Sequence, residues 1–266
     1  MTKSENKTAK YNLKSSRASS LNDSKPGFIP IIVLLILWEI AARCDFVSKG
    51  LLPPFTEVLS QFYELIKNGI LFENLAKSII RVLAGFSMGA LLGILTGTVM
   101  GWNKYIDKLF NPLITVFYPV PALGWLPILI LYIGIGEALP IAIIFICSFF
   151  PVCYNTVCGI KNVDKNYIFA AKTMGASNIR ILKTIVFPLA LPTIFTGLRL
   201  EAGMAWRVII AAEMVAIPTG IGALMMRAES LIRMDIIIVC LLVLSVMTFI
   251  FERFFIRIES VLTKWK

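Results

Sequence analysis

Apolar runs of membrane length alternate with short polar segments along this chain, at about 28–43, 78–101, 110–133, 138–159, 186–217 and 235–256. A helix needs roughly 20 apolar residues to cross a bilayer, and only helices satisfy their own backbone hydrogen bonds there. The pattern therefore predicts an all-α polytopic membrane protein with six spans. Pro112, Pro119, Pro121 and Pro127 interrupt the third run. Prolines at that density free backbone groups, so this span is expected to be kinked and packed against protein. Between the first two runs, Val58, Leu59, Phe62, Leu65 and Ile66 share one helical face opposite Glu57, Gln61 and Glu64. This predicts an amphipathic helix on the membrane surface, capped by Thr56 and suited to packing or to docking an external partner.

The four resulting regions are a basic tail without order (1–27), the first span and surface helix (28–74), the transmembrane body (75–258) and a short C-terminus (259–266). "FIPIIVLLILWEIAARC" could pass for a signal sequence ending at Cys44, but Arg43 and Glu39 fit cleavage poorly and a first span is the better reading.

Composition agrees: 58% of the 266 residues are hydrophobic and 16% charged. The formal charge of +10 is informative mainly through its distribution. Basic residues crowd the tail from Lys3 to Lys25, the segment of Lys104 and Lys108, the loop from Lys161 to Lys183, and the end from Arg253. The opposite side holds only Arg43, Lys49, Lys67, Lys77, Arg227 and Arg233. Positive residues favour the cytoplasm, so both termini are expected there, and the charge gives no separate support for binding nucleic acid. There is no His, which removes the commonest general base and metal ligand. Cys147, Cys153 and Cys158 lack zinc-ligand spacing and, with Cys240, read as small hydrophobes within apolar runs. No nucleophile–base set is visible, which argues against a membrane-bound enzyme.

The inner loop between the fourth and fifth spans reads "VDKNYIFAAKTMGASNIRILKTIVFPLALP", Val163 to Pro192. Asp164 can cap a helix with Ile168, Ala171 and Met174 on one face and Lys165 and Lys172 pointing away. Gly175 can end it in a left-handed turn, and Ser177 can cap a second helix in which Ile179, Leu182 and Ile185 continue the face. Ala170 and Ala171 would let another surface approach the backbone. The pattern Ala170-Ala171-x3-Gly175-x9-Ile185-x2-Pro188 resembles the "EAA" loop of permease subunits of bacterial ABC importers. "LPPFTEVL", "RVLAGFSMGALLGILTG", "PVPALGWLPILILYIGIGE", "FPLALPTIFTGLRL" and "AAEMVA" extend the resemblance to the nitrate/sulfonate/taurine branch, over residues 51–258. Phe169 stands where that family usually has Glu, and Phe187 where it has Leu.

The resemblance implies a permease subunit in the plasma membrane of a bacterium or archaeon. It would work as a homodimer with two copies of an ATP-binding subunit, and an external binding protein would deliver the solute. Ala170, Ala171, Gly175, Ala176, Ser177, Ile185 and Pro188 would then form the ATPase-coupling loop. The cargo it implies is a small anion such as a sulfonate, taurine or nitrate, with a vitamin precursor as an alternative. No phosphate-cradling G-x-x-x-x-G-K-[ST] occurs in the chain, so ATP and Mg would be bound by the partner. From a different class, an ATP-independent secondary transporter is the rival.

Four ionisable residues fall within the fifth run: Arg199, Glu201, Arg207 and Glu213. Charges at bilayer depth are costly and face a partner or a pathway. Counting about 1.5 Å per residue from Pro192 puts Arg207 about 22 Å along the span. It is either half of an ion pair with another span or, with Glu201 and Glu213, part of the solute pathway. Arg81, near the outer end of the second span, reads as a headgroup anchor. Gly85, Gly89, Gly93 and Gly97 recur every four residues and read as a stripe for close helix packing.

Overall fold

A computed structural model describes residues 29–44 and 51–263, so the basic tail and the last three residues lie outside the described residues. All the regular structure among the described residues is helical, without strands. The chain divides at Thr56 into two units.

In the first unit, α1 (Ile29–Arg43) carries an ion pair between Glu39 and Arg43 at 2.6 Å. Glu39 also accepts from the hydroxyl of Thr56 at 3.0 Å and from its backbone N–H. Thr56 is thus not a helix cap, because α2 (Phe55–Lys67) has already begun. Trp38 donates its indole N–H to the Pro53 carbonyl and packs edge-on against Phe55.

In the second unit, α2 continues with Val58 and Leu65 buried while Leu59 and Ile66 are exposed, so the amphipathic stripe is narrower than the sequence face. Gly69 (φ +72°) separates it from α3 (Ile70–Trp102). α3 starts eight residues before the apolar run because Glu73 and Lys77, one turn apart, pair at 2.8 Å and extend the helix into polar sequence. Its glycine stripe seats α6 (Ala138–Lys161): a Cβ at Gly85, Gly89 or Gly97 would stand 2.7 Å from a carbonyl oxygen of α6. The two backbones touch there, as the four-residue spacing predicts.

The third apolar run is two helices. Asn103 accepts from two backbone N–H groups and starts α4 (Lys104–Phe117). A bend of 94° leads through a 3-10 turn (Ala122–Trp125) into α5 (Leu126–Ile133). Tyr118 and Val120 each precede a proline, which disfavours helical backbone and places the break there.

The loop forms α7 (Lys165–Thr173) and α8 (Asn178–Ile181). A π-helical turn, Leu182–Val186, then runs directly into α9 (Phe187–Ala216). Pro188 sits in the first turn of α9, where the apolar run was read to begin, but the second loop helix runs on into the span through the π turn without a break. α10 (Ile221–Ser230) and α11 (Met234–Leu262) complete the chain. Phe86 of α3, Trp206 of α9 and Phe251 and Phe255 of α11 form an edge-to-face aromatic core.

Four helical stretches are long and apolar enough to cross a membrane: Ile70–Trp102, Ala138–Lys161, Asn178–Val215 and Met234–Leu262. The bent α4–α5 pair makes a fifth if counted as one span. The expected sixth is not confirmed among the described residues: α1 has only 15 residues, short of the roughly 20 a bilayer requires.

Candidate functional site

The loop between α6 and α9 has the local geometry its sequence encodes. Asp164 accepts from the Asn166 N–H and caps α7; Ser177 accepts from the Arg180 N–H and caps α8. Between them Gly175 adopts φ +77°, the left-handed region glycine favours. The Ala176 N–H reaches back to the Ala171 carbonyl at 3.0 Å and the Gly175 N–H to Lys172 at 2.9 Å, the paired bonds of a Schellman turn.

Of the expected loop residues, Ala171 is buried, Ala176, Ile185 and Pro188 are half-buried, and Ala170, Gly175 and Ser177 are exposed. The apolar face does not turn wholly inward. Ile181, which the face omitted, is fully buried, while Met174 is 87% exposed and Ile179 68%. Tyr167 and Phe169 are exposed as well. The result is a braced two-helix knob with a greasy tip. Beside it lies a basic groove that includes Lys104, Lys108, Lys165 and Lys172, with Lys161 paired to Asp107 at 2.7 Å.

At the opposite end of the bundle stands a polar cluster. Arg81 is not a headgroup anchor: it is 2% exposed. Its Nε and Nη2 donate to Glu137, its Nη1 to Glu213, each at 2.7 Å, and Nη1 and Nη2 also reach the carbonyl and hydroxyl of Thr219. All five guanidinium donors are therefore used. These bonds hold the Glu137 carboxyl below the usual carboxylate range. Glu213, fully buried, also accepts from Ser78 Oγ.

The same cluster caps α10 from outside its own sequence. The successive N–H groups of Gly220, Ile221 and Gly222 donate to Asn74, Ser78 and Glu213 at 2.9–3.0 Å. Those groups have no partner within the helix, and a carboxylate suits a helix N-terminus. Gly220 has φ +112°, and a Cβ there would run into the Glu213 carboxylate. Sequence reasoning missed this arrangement.

The three charged residues proposed for a pathway do not come together. Glu213 belongs to the cluster. Arg207 is exposed, with Nη1 3.6 Å from Met204 Sδ, and has no ion pair among the described residues. The expected pairing with another span is therefore absent from this unit. Glu201, 9% exposed, lines a cavity between the bend, α6 and α9. Cys153 and Cys240 are buried, as expected of small hydrophobes, whereas Cys44 is exposed.

Residues 89–261 match the family described as the inner membrane component of binding-protein-dependent transport systems. The chain belongs to this family. A putative ABC transporter permease protein of Methanocaldococcus jannaschii is 35% identical, covering 87% of this chain and 88% of its own. The taurine transport system permease protein of Escherichia coli is 31% identical, covering 88% and 87%. Among solved structures, the inward-facing MetNI methionine ABC transporter has a chain that aligns with a TM-score of 0.55 at 16% identity, over 77% of this chain and 98% of that one. The permease is thus a multi-pass membrane protein with the fold of ABC import subunits, in a family whose members are normally not themselves catalytic.

Proposed function

We propose that this permease is the membrane-spanning half of an ATP-driven importer, paired as a homodimer with two copies of an ATP-binding subunit. An external binding protein delivers a small solute. The observation that carries the proposal is the knob: two capped helices locked by the Gly175 turn, presenting Met174, Ile179 and Phe169 to solvent. A soluble ATPase needs such a rigid apolar handle to move a bundle buried in lipid. Ala170, Ala171, Gly175, Ala176, Ser177, Ile185 and Pro188 form and orient it. With Phe169 in place of the family's Glu, the contact is apolar rather than a salt bridge.

Because α8 passes through the π turn into α9 without a break, a push on the knob is delivered straight to that helix. The knob lies in the cytoplasm with both termini, and the protein in the plasma membrane. ATP and Mg are held by the partner. Similarity to a taurine permease and the charge of Arg207 support a small sulfonate-like solute.

The test is photo-cross-linking. A photoreactive residue in place of Met174 is expected to capture the ATP-binding subunit, whereas one in place of Ile135, exposed at the other end of the bundle, is not. Capture from Ile135 and none from Met174 would refute the assignment.

A further inference from the structure

Where α4 bends away, a cavity of about 320 Å³ opens between the bend, α6 and α9. Four aromatic rings line it: Phe117, Tyr118, Trp125 and Phe150. Phe117 packs on both Trp125 and Phe150, and Tyr118 stacks on Tyr154 at 4.9 Å, so the walls are braced. This volume falls in the range of small-molecule sites, which combine apolar walls with a few placed polar groups.

Glu201 is the only charged side chain in the lining among the described residues. It is nine-tenths buried, and its one polar contact among the described residues is the thiol of Cys147, at 3.7 Å. A carboxylate accepts up to about four hydrogen bonds, and one thiol is a weak donor, so most of that capacity is open. Pro151, inside α6, adds to the deficit, because its missing N–H deprives the Cys147 carbonyl of its usual helical donor. The cavity therefore offers acceptors and aromatic faces, the two features that hold an ammonium group. A bare inorganic anion would meet repulsion from Glu201. On the same helix Arg199 is paired with Glu259 at 3.8 Å, whereas the Arg207 guanidinium touches the sulfur of Met204, itself a cavity-lining residue.

We infer that this cavity receives a small zwitterion in passage. Glu201 accepts hydrogen bonds from its ammonium group, the rings flank it, and Arg207 at the rim meets its acidic group. The inference rests on the importer reading. It narrows the solute class from anions in general to amino-acid-like or aminosulfonate-like molecules.

The native Cys147 provides the test. Two methanethiosulfonates with the same reactive group, one carrying trimethylammonium and the other sulfonate, are applied to membranes containing the full permease. Modification of Cys147 is followed by peptide mass spectrometry, and each rate is divided by that reagent's rate with free cysteine. The ratio cancels the reactivity of the thiol and reads the local charge. The cationic reagent is expected to be favoured about tenfold or more. The preference should collapse towards one in Glu201→Gln and persist in Glu201→Asp. Equal rates, a preference for the anionic reagent, no labelling by either, or a ratio unmoved by Glu201→Gln would each overturn the inference. ATP-dependent uptake is measured separately: a cation-selective cavity in a chain that no ATPase drives would overturn the importer reading alone.

Discussion

Replacing Glu213 with Ala is expected to destabilise the bundle by about 3–5 kcal/mol, the cost of removing one partner of a buried ion pair. The loss is large because Glu213 serves three donors at once. Arg81 Nη1, the Ser78 hydroxyl and the Gly222 N–H all point at its carboxylate, and through Ser78 it orders the Ile221 N–H as well. Without it, buried donors on α3 and at the start of α10 lose their acceptor together. For a chain of this size the change corresponds to a fall in Tm of roughly 10 °C. Intrinsic tryptophan fluorescence in detergent, together with the amount of protein in the membrane, measures it. Glu137→Ala should cost much less, because the Glu137 side chain is 66% exposed and Arg81 keeps Glu213. An unchanged Tm in Glu213→Ala would show that the cluster contributes nothing to stability.

The second large effect is expected from Gly175→Val, and it should appear in coupling rather than in stability. Among the described residues nothing lies within 4 Å of the position a Cβ would occupy, so crowding is not at issue. The cost comes from the backbone: at φ +77° a β-branched residue is strained by about 1–2 kcal/mol, and the turn is expected to open. The Ala176-to-Ala171 bond then goes, and the two knob helices lose their fixed angle. Transport-linked ATP hydrolysis should fall by about tenfold or more, while membrane level and Tm stay close to those of the unaltered chain. Gly175→Asn should retain most of the activity, since Asn tolerates the left-handed region. Full transport by the Val variant would show that the loop is only a connector.

The contrast between these two sites explains what was legible in the sequence. The knob is built from local rules, in which a cap, a left-handed glycine and a second cap lie within fifteen residues, and these formed as read, although its apolar face did not. The glycine stripe was legible for the same reason, since its period is that of one helix. The Arg81 cluster was not, because its members lie 56 and 132 residues apart and no local pattern joins them. One signal was present: on the topology drawn from the basic residues, Arg81, Glu137 and Glu213 all fall near the same membrane surface, and charges at one depth are natural partners. The surroundings of Arg207 were not legible, because depth alone does not say which face of a helix a residue occupies. The spans blurred for another reason. Hydropathy marks where lipid is tolerated, whereas helices run on through Glu73 and Lys77 at one end and through the π turn at another.

The central claim, that this chain carries solute only when a separate ATPase drives it, is tested most directly by uptake of radiolabelled taurine into liposomes. The chain is reconstituted alone, with its ATP-binding subunit, and with both that subunit and the external binding protein. Uptake that requires all three components and ATP is the predicted result. Uptake by the chain alone, following an ion gradient and indifferent to ATP, would contradict the account and identify a secondary transporter instead.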